Sequence, residues 1–142
     1  QLEYLNLENA GITALGILAL SQSPHLSRLK ELNLSGNDLR EKGLLILAES
    51  ENFKNLVKLR ISGIPVGDSG FLALVHSNIL SQLEELEAMG NTITRKSLDS
   101  MISASKLARL KNLDLRRNKL KEADLIFLAD TPKFQALEAL RF

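Results

Sequence analysis

Few residues in this chain have the types and spacing that chemistry needs. His25 and His76 stand at different distances from the leucines around them, so they should not converge on a metal ion. Cysteine is absent, which removes disulfides and thiolate metal sites. Ser, His and Asp all occur, but no spacing brings three of them together. Neither a Gly-rich phosphate loop nor a carboxylate dyad tied to a pocket is present. The expectation is a non-enzyme with no catalytic residue, no cofactor and no metal. Two charge clusters remain. Arg109, Lys111, Arg116, Arg117, Lys119 and Lys121 lie close together, but Asp114 sits among them and no aromatic is interleaved on which a base could stack. They read as a solvated edge, and no nucleic acid partner is expected. Glu84, Glu85 and Glu87 form an acidic run that Lys58, Arg60 and Arg116 are placed to neutralise.

The elements that must position these residues repeat. Leucine falls at residues 2, 29, 56, 83, 110 and 137, a constant period of 27. Leu5, Leu32, Leu59, Leu86, Leu113 and Leu140 follow three residues later, and Leu7, Leu34, Ile61, Ala88, Leu115 and Phe142 two beyond those. Self-similarity at such a period marks a stacked repeat protein. The expected organisation is a single domain over 1–142, with five repeats starting at Leu2, Leu29, Leu56, Leu83 and Leu110 and a sixth beginning at Leu137. A solenoid of this kind works through a surface and not through one catalytic pocket.

Within each repeat, the alternation around the inner leucines has the period of a short strand with one face buried. The other half carries apolar residues at helical spacing: Ile17, Leu20 and Ser21, then Leu44, Leu47 and Ala48, Phe71, Leu74 and Val75, Leu98, Met101 and Ile102, and Leu125, Leu128 and Ala129. Thr13 and Thr94 are placed to cap those helices, and Pro24 and Pro132 to follow them. Leu26, Phe53, Leu80, Leu107 and Phe134 bring the chain back to the next strand. Leu18, Leu45, Leu72 and Ile126 form a further column, either packed between helices or exposed as an apolar strip. Strands stack about 4.8 Å apart and helices about 8–10 Å apart, so the stack must curve with its strands inside.

From each leading leucine the chain reads L-x-x-L-x-L-x-x-N-x-L, complete at Leu29 to Leu39 and again at Leu110 to Leu120, with Ala10 and Ile64 in the Asn place elsewhere. This resembles the leucine-rich repeat family. The helix-bearing 27-residue repeat, with Gly16, Gly43 and Gly70 in one column, is similar to the ribonuclease-inhibitor-like class. The segment Gly43 to Ser50 is similar to bacterial proteins of that type. The resemblance implies an α/β fold, a curved right-handed β-α superhelix with parallel strands on the concave face and helices on the convex face. It assigns Asn37, Asn91 and Asn118 to an architectural ladder that satisfies backbone groups in neighbouring turns. The turns at Ala10 and Ile64 should be less tightly bonded.

Residues flanking the strand leucines should face the concave side. Core and ladder columns hold one residue type, whereas these columns vary: Tyr4, Glu31, Lys58, Glu85, Asn112 and Ala139, then Asn6, Asn33, Arg60, Glu87, Asp114 and Arg141, then Glu8, Ser35, Ser62, Met89 and Arg116. Variation on a constant scaffold points to a protein partner bound through this face. The resemblance also allows the targeting region of a bacterial effector, or of a GTPase-activating or enzyme-inhibiting regulator. With 18 basic and 17 acidic residues the net charge is +1, which supplies no general attraction to polyanions. No apolar stretch approaches the roughly 18 residues of a membrane helix, so membrane insertion is not expected. The absence of cysteine leans towards a reducing compartment: the bacterial cytosol, or the host cytosol for a secreted effector. Gln1 and Phe142 interrupt the period, so a longer parent is expected, with end-to-end self-association through uncapped layers as the alternative.

Overall fold

The polar–leucine–polar triplets form strands only three residues long: β1 (Tyr4–Asn6), β2 (Glu31–Asn33), β3 (Lys58–Arg60), β4 (Glu85–Glu87), β5 (Asn112–Asp114) and β6 (Ala139–Arg141). The structure, a computed structural model, describes residues 2–134 and 137–142; Gln1, Gln135 and Ala136, and the side chains of Leu80, Ser105, Ala129 and Lys133, lie outside the described residues. Strands this short have no independent stability. They persist because each lies parallel to the next in one sheet, in the order β1-β2-β3-β4-β5-β6. Leu5, Leu32, Leu59, Leu86, Leu113 and Leu140 are successive partners, so every strand residue meets its counterpart one period along. A slip of one residue would turn that leucine row away from the core.

Five helices run back behind the sheet: α1 (Ala14–Ser21), α2 (Arg40–Glu49), α3 (Gly67–His76), α4 (Arg95–Ser103) and α5 (Glu122–Ala129). At this length none would hold in water alone. They are held by burial, with Ile17, Leu44, Phe71 and Leu98 fully enclosed at one helical position and Leu47, Leu74, Met101 and Leu128 three residues later. Short 3-10 turns at Glu51–Phe53, Asn78–Ser81, Ser105–Leu107 and Pro132–Phe134 lead towards the following strands. Phe53 is fully buried, and Leu26, Leu107 and Phe134 nearly so.

The glycine column at the helix starts reflects close approach. A Cβ on Gly43 would lie 2.8 Å from Leu39 Cβ, and one on Gly70 would lie 2.9 Å from Val66 Cβ and 3.3 Å from the Glu41 backbone of the preceding helix. Thr94 caps α4 by accepting from the Lys96 amide at 3.3 Å. Thr13 precedes α1 in the same extended conformation but makes no side-chain capping bond.

One expectation about the helices changes and one open alternative is decided. Leu125, assigned above to the buried stripe, is 40% exposed, because α5 has a neighbouring helix on one side only. The column beside the stripe is mostly an exposed strip: Leu18, Leu45 and Ile126 are exposed and Leu72 is half-buried. The end strands are also thinly covered, with Leu5, Leu7, Leu137, Leu140 and Phe142 only partly buried.

Candidate interaction surface

The residues beside the strand leucines form the sheet face opposite the helices. Tyr4, Asn6, Glu8, Arg116 and Arg141 are exposed, and Glu31, Lys58, Arg60, Glu85, Glu87, Met89 and Asn112 are half-buried. Asn33 and Asp114 differ from the expectation of open positions, each being only 6% exposed. The reason is local. Asn33 donates through Nδ2 to Glu8 Oε2 at 3.1 Å. Asp114 is clamped by Arg116, whose Nε lies 3.0 Å from Oδ1 and whose Nη2 lies 2.6 Å from Oδ2. The Arg116 hydrogen bonds hold the Asp114 carboxyl below its usual range, against the opposing effect of burial.

At the centre of the face the charges pair across strands. Arg60 donates through Nε to Glu87 Oε1 at 2.9 Å and through Nη2 to Glu85 Oε1 at 3.3 Å, while Lys58 Nζ lies 3.4 Å from Glu85 Oε2. The Glu87 hydrogen bond is the main cause that raises the Arg60 pKa, with burial opposing it. Contrary to the expectation that Arg116 neutralises the acidic run, it is ion-paired with Asp114. Glu84 turns to the other end of the strands and pairs with Lys111 at 2.8 Å, and Glu3 pairs with Lys30 in the same way at 3.0 Å.

Part of the residue variation on this face has an architectural cause that was missed in the sequence. The backbone amide two residues after each strand's last residue needs an acceptor. In three repeats the side chain at that last position supplies it: Asn6 Oδ1 to the Glu8 amide, Asn33 Oδ1 to Ser35 and Asp114 Oδ1 to Arg116, at 3.0–3.1 Å. Arg60 and Glu87 cannot make this local turn. There the acceptor is a serine from the preceding repeat: Ser35 Oγ to the Ser62 amide at 3.1 Å and Ser62 Oγ to the Met89 amide at 3.2 Å. The clue in the sequence is that Ser35 and Ser62 stand one repeat before Arg60 and Glu87, which lack the Asn or Asp of the other turns.

The asparagine ladder lies beneath the adjoining turns. Asn37 Oδ1 accepts from the Ile12 amide and its Nδ2 donates to the Leu7 and Leu34 carbonyls, all at 2.8 Å. Asn91, fully buried, accepts from Ile64 and donates to Ile61. Asn118 accepts from Asn91 and Ile93 and donates to Ala88 and Leu115. Ile64 stands fully buried in the ladder column as an apolar replacement.

Helix termini carry three further links that the sequence did not disclose. Asn52 Nδ2 donates to the Ser21 and Ser23 carbonyls at the end of α1, and Lys106 Nζ to the His76 carbonyl at the end of α3. Asp68 of α3 accepts from the Thr94 amide and hydroxyl and from Ser97, which occupies the glycine column of α4. Burial alone would raise the Asp68 pKa, but the hydrogen bonds from Ser97 and Thr94 outweigh it and lower it.

The basic run divides in space. Lys111 pairs with Glu84, and Arg109 donates to Gln82 Oε1 at 3.0 Å, both at the strand starts. Arg116, Arg117, Lys119 and Lys121 are exposed where β5 ends and its turn begins. Among the described residues, no group of three His, Asp or Glu side chains converges as metal ligands would, and no helix is long and apolar enough to cross a membrane.

Residues 28–50, which hold β2 and α2, match the family model described as Leucine Rich Repeat. No curated protein matches the chain.

Proposed function

Since this chain is a leucine-rich repeat protein, a type of module that generally serves non-enzymatic protein–protein interaction, we propose that it binds a protein partner through the concave sheet face. The observation that carries this reading is the face itself. Its architectural demands are met by Asn6, Asn33, Asp114, Ser35 and Ser62, yet Tyr4, Glu31, Met89, Asn112 and Arg141 vary with no such demand upon them. The Lys58–Glu85–Arg60–Glu87 network holds long side chains in one arrangement, which lowers the entropy lost when a partner meets them. A mixed-charge, preorganised face suits a polar protein surface better than a polyanion.

The footprint limits affinity. Five strand intervals of about 4.8 Å and about 15 Å of strand give about 350 Å², against about 800 Å² per partner in a standard interface. The test is affinity capture by the chain and by the Arg60→Glu, Glu87→Arg double variant, which keeps the internal pair and inverts the pattern it presents. Partners that use the concave face should be lost from the double variant and retained by Lys96→Glu, an exposed change on α4. Equal capture by all three proteins would remove the concave-face reading.

A further inference from the structure

We infer that the end of β5, its following turn and β6 form a subsite for carboxylate side chains of an acidic protein segment, organised around the buried carboxylate of Asp114. This rests on the concave-face reading and specifies the partner's chemistry at one end of that face.

Asp114 fixes the geometry. It engages Arg116 through Nε and Nη2, leaving Nη1 without a hydrogen bond among the described residues and the guanidinium half exposed. On its other side Asp114 is in register with Arg141 of β6, which adds to the positive field on that carboxylate. One buried anion therefore stands between two exposed arginines, and a positioned guanidinium is suited to bidentate carboxylate binding.

Arg117 supplies the second observation. It occupies the turn column that holds Gly36, Gly63 and Gly90 in the three preceding repeats, all with φ near +69°. Arg117 adopts φ +57° there, a left-handed conformation that a side-chain-bearing residue enters at a cost and glycine does not. That cost brings no ion pair among the described residues, and the side chain is exposed. Lys119 follows two residues later, exposed and likewise without an ion pair there. Arg116 and Arg141 thus flank one acid, and Arg117 and Lys119 follow Arg116 in the adjoining turn. Elsewhere on the face cations and acids are matched across strands or the acids predominate, as at Glu8, Glu31, Glu85 and Glu87. A nucleic acid following the face would meet those carboxylates, whereas an acidic peptide segment can end at this subsite.

The test is titration of the isotopically labelled chain with a short polyglutamate peptide, followed by amide chemical shifts. Saturable shifts at Arg116, Arg117, Lys119 and Arg141 are expected, weakening as salt is raised. Arg117→Gly retains the turn while deleting the charge, and should lower affinity about threefold. Arg109→Gln, at the opposite end of the strands, should leave it unchanged. The inference is overturned by absence of saturable shifts there, by equal loss in Arg109→Gln, or by tighter binding of a single-stranded oligonucleotide to the same residues. If the peptide fails while the Arg60–Glu87 exchange still abolishes partner capture, this inference falls and the concave-face reading stands.

Discussion

At the scale of single residues, the repeat satisfies one backbone requirement by different chemical means. Asn91 is enclosed and serves the turn of the preceding repeat, so Asn91→Ala removes an acceptor from the Ile64 amide and a donor from the Ile61 carbonyl. Leaving two buried groups unpaired should cost about 3 kcal/mol, measurable as a lower urea midpoint at unchanged slope. Ser62 has the subtler role of accepting from the Met89 amide because Glu87 does not make the local turn. Ser62→Ala should cost about 1 kcal/mol. The same change made together with Glu87→Asn should cost less than the sum of the two separate losses, because Asn at position 87 restores a local acceptor of the Asn33 kind. Strict additivity in that double-mutant cycle would exclude the exchange of acceptors. These details explain why residue variation by itself overstates the proposed binding face, since Ser35 and Ser62 vary to suit the repeat that follows them.

Between elements, adjacent helices are joined at their starts as well as through the core. Asp68 of α3 accepts from Thr94 and Ser97 of α4, and Arg95 of α4 reaches Asp124 of α5 at 3.2 Å with its guanidinium 3.5 Å above the Phe127 ring. The folded Asp68 carboxyl titrates below its unfolded value of about 3.9, so its bonds stabilise the fold above that pH and are lost as pH falls through the lower folded value. Asp68→Asn should therefore flatten the loss of stability on acidification below about pH 3.9, read from denaturant midpoints against pH. An unchanged slope would show that Asp68 contributes no linkage. The strands and the buried side of each helix were legible because a period of 27 aligns every core column by inspection. Exposure of Leu125 was not legible, since helical spacing identifies an apolar face without saying whether another helix covers it. The Asp68–Ser97 link was hidden for a related reason: Ser97 reads as a break in a glycine column until the preceding helix is placed beside it.

For the whole molecule, stability should be graded along the stack because each repeat touches only its neighbours. Leu32, Leu59 and Leu86 of β2 to β4 are covered by layers on both sides and are at most 1% exposed, whereas Leu5 of β1 and Leu140 of β6 are only partly buried. Amide hydrogen exchange should consequently be slowest for β2 to β4 with α2 and α3, and fastest for β1 and β6, with intermediate openings between them. The gradient bears on binding, because the proposed carboxylate subsite uses β6 and the paired network uses the protected centre. A ligand held at Arg116 and Arg141 must order the less stable end, and so should raise protection in β5 and β6 more than in β3. Asn91→Ala gives the complementary control, for it breaks the ladder between the third and fourth repeats. Its loss of protection should spread from β4 towards β6 and leave β1 and β2 nearly unchanged. A uniform loss along the chain would instead identify one all-or-none cooperative unit and exclude nearest-neighbour coupling as the source of the gradient.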